Sequence, residues 1–443
     1  MYVVVVGAGE VGSTIAASLS ESHEVAVVDV DPERVETLTY ELDVLPVEGD
    51  GTDLATLQEA GIERADLFIA STDDDETNIV ASGTAATQDD AFTLARVRSK
   101  RYLQTWRGHE GAFGIDFMVC TDLLTAETLV GVIGLPAAVH VDTFASGTVR
   151  MAEFEVPEGS PLAESTIQES DRFDEVTFVA VVRDEDVILP TGETVLHAGD
   201  DVVVVGTPAG VRAFGGTLAP DADESHDVVI LGGTEIGYET ARLLEGQDLQ
   251  PRLIERDEKR SRELAETLPA TTVLAGDATD RKLLEREHVG DADVVVATMD
   301  QEERNLLGAL LAGRVGAERT VAVVESGEYV ELFKAVGVDV AVNPRTLTGE
   351  EITRFTRERR MENVSIIEDD QAEVIEIEID DDSALAERRI GEATGDFPEG
   401  VVIGAITRDG EFVTPRGDTI VEVGDHVVVL ARQEAVDETI NAL

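Results

Sequence analysis

The chain has 443 residues, 43% of them apolar, enough for two to four domains with proper cores. Its 92 acidic residues against 34 basic ones leave a formal net charge of −58, which argues against nucleic acid and disfavours anionic lipid as direct partners, since both need clustered Lys and Arg. A single cysteine, Cys120, excludes an internal disulfide and a cysteine-rich metal site, and suits a cytoplasmic compartment.

Only four of the basic residues are lysines: Lys100, Lys259, Lys282 and Lys334. So acidic a surface repels itself in dilute buffer, whereas concentrated salt screens it, and the composition reads as that of a halophile's protein. No apolar stretch approaches the ~20 residues that span a bilayer. Met1 leads straight into a core strand without a signal peptide. Any membrane role is therefore expected to run through a protein partner.

Residues 1–135 open with Tyr2-Val-Val-Val-Val6. Short apolar runs follow at Val25–Asp29, Val44–Val47, Leu67–Ala70, Thr93–Val97 and Phe117–Val119, separated by helix-compatible stretches. Continuous apolar strands alternating with helices predict a doubly wound, parallel-sheet α/β domain of Rossmann type, with its ligand at the carboxyl ends of the strands. After the first strand comes Gly7-Ala8-Gly9-Glu10-Val11-Gly12, and Asp29 closes the next strand. That is the spacing of the dinucleotide fingerprint. Gly7 permits the turn, Gly9 lets backbone approach a pyrophosphate, Gly12 lets helix pack on strand, and amides at the helix start hold the anion. Asp29 can accept hydrogen bonds from ribose hydroxyls and would repel a 2′-phosphate, which favours NAD over NADP.

Further along lie the turn Gly49-Asp50-Gly51-Thr52 and the acidic run Asp73-Asp-Asp-Glu-Thr-Asn78, which includes the residue after Thr72. The run suits a helix N-terminus and offers hydrogen bonds to a ligand or to its own turn. Nothing in its spacing demands a metal ion. Arg96 and Arg98 end the fifth strand, placed either to neutralise phosphates or to pair with surface carboxylates.

From 138 to 217 the pattern changes to a small α+β domain. Ala152-Glu-Phe-Glu-Val156 alternates as a half-exposed strand does, and Ala198-Gly-Asp-Asp leads into the buried run Val202–Val205. An acidic linker, 218–226, separates the halves. The plan then repeats. Gly232 lies 225 residues after Gly7 and Pro415 lies 225 after Pro190, so both domain types are duplicated, at 227–350 and 362–443. The second large domain carries strands at Val228–Leu231, Arg252–Glu255, Val294–Ala297 and Thr320–Val324, and the second small one repeats the alternation at Ile375–Ile379.

The copies differ where a phosphate would sit. Thr234 replaces the middle glycine, Val323 replaces Arg96 and Glu325 replaces Arg98. Glycine and arginines are lost together, as expected if both serve one anionic ligand in the first copy. A catalytic constellation is missing: the seven histidines are scattered, His197 and His426 read as turn residues, and Cys120 reads as packed behind the last strand. No catalytic or metal-binding residues are assigned.

Together, Val6-Gly-Ala-Gly-Glu-Val-Gly12, Asp29-Val-Asp-Pro-Glu-Arg34, Val47-Glu-Gly-Asp-Gly-Thr52, Ala70-Ser-Thr-Asp-Asp-Asp-Glu-Thr-Asn78 and Ala95-Arg-Val-Arg98 resemble the regulatory subunit of Trk potassium uptake systems, over essentially the whole chain. The resemblance implies tandem repeats of the N- and C-type domains that regulate potassium conductance (RCK). It implies a cytoplasmic subunit, peripherally attached through a TrkH-like potassium-translocating membrane protein, and assembly into homo-oligomeric rings, often tetramers. It also implies NAD(H), or ATP/ADP, held by Gly7, Gly9, Asp29, Asp50, Thr52, Thr72, Asp73 and Arg98, with Ala8, Glu10, Val11, Gly12, Gly51 and Arg96 beside them. Thr87-Gln-Asp-Asp-Ala91 departs from the family's more apolar helix end. The alternatives are an NAD-dependent dehydrogenase and a structural scaffold with vestigial nucleotide folds.

Overall fold

Tyr2–Val6 (β1) is buried along its whole length, because a valine run has no polar face to turn to water and fits only the inside of a sheet. The computed structural model describes residues 1–443 except 21–22, 89–90, 110–111, 136–137, 171–172, 174, 184–185, 219–226, 248, 358–362, 368–370, 382 and 394–399. All of the expected linker but Leu218, and the centre of the Thr87–Ala91 stretch, lie outside the described residues.

With Glu24–Asp29 (β2), Leu45–Glu48 (β3), Leu67–Ala70 (β4), Phe92–Val97 (β5) and Phe117–Cys120 (β6), β1 forms a six-stranded sheet of order β3-β2-β1-β4-β5-β6. Every pair is parallel. This is the doubly wound order, and its chain reversal leaves a crevice outside β1 and β4. Glu10–Ser20 (α1) follows β1. Asp31, Asp53 and Asp74 start the next helices, Pro32–Glu41 (α2), Leu54–Glu59 (α3) and Asp75–Ala85 (α4), by accepting amide hydrogen bonds in the first turn.

The second large domain repeats the order with Thr272–Ala275, Arg252–Glu255, Val228–Leu231, Val294–Ala297, Arg319–Val323 and Val340–Val342. Thr272–Ala275 and Val340–Val342 were not foreseen, since three or four residues are too few for periodicity to separate strand from loop. Met1–Leu129 and Asp227–Thr353 form one compact unit. Inside it, Lys100 Nζ donates to both oxygens of the buried Glu239 carboxylate at 2.8 Å. The helix Pro344–Arg357 meets the first domain through the Thr348 and Thr121 hydroxyls, 3.1 Å apart.

Val130–His226 and Arg354–Leu443 form the other unit. Each small domain is a five-stranded antiparallel sheet, and each repeats one bidentate pair: Arg183 on Asp200 at 2.7 Å, and Arg408 on Asp425 at 2.7 and 2.8 Å. Ala152 to Val156 does alternate, with Phe154 inside and Glu155 exposed. Its counterpart Ala372–Glu378 does not: Glu373 and Glu376 are fully buried. Val149, Val179, Val374 and Leu430 share one core, so the two sheets pack against each other and the face marked polar becomes internal.

Candidate functional site

Steric demand shapes the turn after β1. Gly7 has φ +105°, and a Cβ there would lie 2.9 Å from the Thr72 amide nitrogen. A Cβ on Gly12 would sit 1.8 Å from the Gly7 carbonyl oxygen, so α1 rests directly on the turn. Gly9 is different. A Cβ there would meet nothing nearer than Arg34 Nη1 at 3.5 Å, so internal packing does not ask for glycine. What the missing side chain keeps open is the space before the first amides of α1.

That space belongs to a cleft of about 520 Å³ at the carboxyl ends of the strands, inside the range of small-molecule sites. Gly7, Gly9, Glu10, Val11, Asp29, Asp50, Gly51, Thr72, Asp73 and Arg96 all line it. The other expected site residues are placed elsewhere. Ala8 and Gly12 shape the turn from behind: the Ala8 amide donates to Asp29 Oδ2 at 2.6 Å, and the Asp31 amide to Oδ1 at 2.8 Å. Thr52 donates its amide and hydroxyl to Asp50 Oδ1 at 2.9 and 2.7 Å, holding that carboxyl below its usual range.

Arg96 is 4% exposed and spans the floor, donating to Thr121 Oγ1 at 3.0 Å and to Asp73 Oδ1 at 3.3 Å. Burial pulls its pKa below the ordinary value despite Asp73. Arg98 does not join it. The strand stops at Val97, and the Arg98 guanidinium turns to Asp122, 3.6 Å away, in a neighbouring cleft of about 330 Å³. Asn78 is a bracket rather than a ligand group: it accepts from the Thr72 amide at 2.8 Å and donates to the Arg96 carbonyl at 2.9 Å.

The second copy keeps the brackets and fills the side of its cleft towards Glu255 and Asp277, while Thr234, Glu235 and Ile236 line the smaller neighbouring cleft. Glu255 accepts from the Gly233 and Asp257 amides, Asp277 from Thr279, and Asn305 from the Met299 amide, as their counterparts do. The acid at the end of the second strand therefore serves the turn in both copies. Thr234, however, caps its own helix: Oγ1 accepts from the Gly237 amide at 3.3 Å and donates to the Thr298 carbonyl at 2.6 Å. Arg260 donates to the Gly233 carbonyl at 2.9 Å, and Arg304 to Asp277 at 2.6 Å. Arg34, on the first cleft's wall, instead stands 4.0 Å from Asp29.

Sequence reasoning missed Arg34 and Arg345 in the first cleft. Arg34 was signalled by its place in the first turn after Asp29, whereas Arg345 comes from the second half and had no local signal. No histidine lines either cleft. His197 lies in a small-domain turn, 2.9 Å from Glu164, and His426 opens a strand facing buried Glu376 rather than a turn. Cys120 is buried, which pushes its thiol up to about 11. Among the described residues no cluster fits a metal ion and no helix is long and apolar enough to cross a membrane.

The TrkA-N domain model matches residues 3–120 and 228–344, and the TrkA-C domain model matches 151–218 and 374–443. A Trk system potassium uptake protein TrkA homolog of Archaeoglobus fulgidus is 36% identical over 441 residues, 99% of each chain. The Trk system potassium uptake protein TrkA of Vibrio alginolyticus is 32% identical over 97% of this chain and 95% of its own. These names denote potassium uptake, not catalysis. Among solved structures, the GsuK channel bound to NAD has the same fold, with TM-score 0.62 and 22% identity over all of this chain and 79% of that one.

Proposed function

The chain belongs to the TrkA family, and from that premise we propose that it is a cytoplasmic regulatory subunit of a potassium uptake system, controlling a TrkH-like membrane translocator through a nucleotide held in its first large domain. We divide it into four tandem domains, 1–135, 138–217, 227–350 and 362–443, assembled as a ring of several chains. The observation that carries the nucleotide reading is the contrast between Gly9 and Thr234. One leaves its helix amides open to an anion, and the other places its hydroxyl before them and takes the Gly237 amide for itself.

The rest of the first cleft supports an adenosine ligand with phosphates. Asp29 keeps a second lone pair on each carboxylate oxygen for ribose hydroxyls, beyond those given to Ala8 and Asp31. Arg34 offers a planar guanidinium at the mouth, and Arg96 puts positive charge beneath the site. NAD(H) is our first choice, with ADP or ATP as the alternative. A bound nucleotide supplies negative charge and contacts that differ between two arrangements of the domains, and only such a difference can shift their balance. Titrating the full-length protein with NAD, NADH, ADP and ATP should give one binding event per chain. Two equal events per chain would refute the loss of phosphate binding beside Thr234, and none would refute the nucleotide itself. Co-purification with a multi-spanning potassium translocator tests the partner.

We also read the surface as adapted to concentrated salt. Raising KCl from 0.1 M to 1 M shortens the screening length from about 10 Å to about 3 Å. With a net charge of −58, the melting temperature should rise by on the order of 10 °C across that range. A flat or falling melting curve would remove the salt-adaptation reading.

A further inference from the structure

Where the two large domains meet inside their shared unit, Glu10 faces the start of the helix Pro344–Arg357. Arg345 Nη1 donates to Glu10 Oε2 at 2.9 Å, while the Gly327 amide and Asn343 Nδ2 donate to Oε1 at 2.8 and 3.2 Å. Arg345 is also the one described residue of the second half that lines the first cleft.

The cleft needs it. Five carboxylates line the wall (Glu10, Asp29, Asp50, Asp73, Asp74) against three guanidiniums (Arg34, Arg96, Arg345), so an anion is accepted only where a cation can turn to meet it. Arg96 is buried and bonded to Asp73, Thr121 and backbone carbonyls. Arg34 is half exposed, 4.0 Å from Asp29 and 3.6 Å from Asp31, and can meet an anion from the first domain's side. Arg345 remains one third exposed, and its partner Glu10 is itself part of the cleft wall, so the guanidinium can exchange one anion for another without leaving the corner.

The pseudo-equivalent corner lacks this device. Asp122 stands at the position of Arg345, in the same cleft as Glu235, the counterpart of Glu10. One corner therefore joins opposite charges and the other sets like charges together.

Building on the nucleotide reading, we infer that Arg345 is a phosphate-sensing latch supplied by the second domain: it holds Glu10 while the cleft carries no anion and transfers to a phosphate of the bound nucleotide. Phosphate affinity and the arrangement of the two large domains are then linked, each biasing the other by the same factor.

Calorimetry on the full chain with ADP and with adenosine tests this. Arg345→Ala should weaken ADP by about 10- to 100-fold, the loss of one hydrogen bond between charged groups, and leave adenosine unchanged. Glu10→Gln keeps an oxygen for Gly327 and Asn343 but leaves Arg345 only its longer pair with Glu325 at 3.9 Å, so ADP should bind several-fold tighter. That gain should vanish in the double variant. A purely structural pair predicts that both single variants act in the same direction, and that outcome, a gain that persists in the double variant, or unchanged ADP binding in Arg345→Ala, overturns the latch alone. If the unmodified protein binds neither NAD, NADH, ADP nor ATP, the nucleotide reading falls and the latch falls with it.

Discussion

A Gly9→Val variant is expected to fold like the parent and to lose nucleotide binding. The backbone at 9 is not in the left-handed region, and the nearest atom to a new Cβ is the end of a flexible arginine at 3.5 Å, so the stability change should stay within ~1 kcal/mol. The side chain would stand before the α1 amides and keep phosphate oxygens from them. Losing two such charge-assisted contacts costs ~3–6 kcal/mol, roughly a 10²- to 10⁴-fold loss of affinity. The control is Gly12→Val, whose Cβ would fall 1.8 Å from the Gly7 carbonyl oxygen. It should cost more than about 4 kcal/mol and fail by unfolding. Calorimetry and thermal melts on both variants separate the two roles. Parent-like affinity in Gly9→Val would sink the site assignment.

The second large effect concerns Asp122, buried beside Glu235 and only partly met by the exposed Arg98. Burial first, and then the Glu235 charge, push its carboxyl up to about 6, against the pull of Arg98. The sign follows from linkage. The native state binds this proton more tightly than the unfolded chain, so the group's contribution to stability falls as pH rises from about 4 to about 6, and the deficit is complete above that. Holding the carboxyl near 6 rather than in its usual range disfavours the ionised form by on the order of 3 kcal/mol. Asp122→Asn removes the charge at nearly constant shape. It should stabilise the protein by ~1–3 kcal/mol at pH 7.5, with the gain fading towards pH 4, in denaturant titrations at fixed salt. A destabilised variant at pH 7.5 would mean that Arg98 compensates Asp122 in full.

Both predictions rest on features read from the chain with different ease. Strand positions, the doubly wound class and the duplication were legible because each lies in local order: valine runs, glycine spacing and a 225-residue recurrence. The Gly9 to Thr234 change was legible too, since one β-branched residue in a glycine turn has a local meaning. Less legible was what Asp29, Thr52 and Asn78 do. Each spends hydrogen bonds on its own turn, a role shared with Glu255, Thr279 and Asn305. Their recurrence in both copies therefore reports how the fold is braced as well as any ligand.

From its letters this chain declared periodicity, duplication, an acidic surface and an open phosphate turn, because these depend on neighbours along the backbone. Chain folding alone settled which charges meet. Arg98 parted from Arg96 where β5 stops, Arg345 reached Glu10 across 335 positions, and Glu376 went inside when two sheets stacked. Coulomb energy and burial depend on distance through space, and no spacing along the sequence encodes that distance before the two halves are packed together.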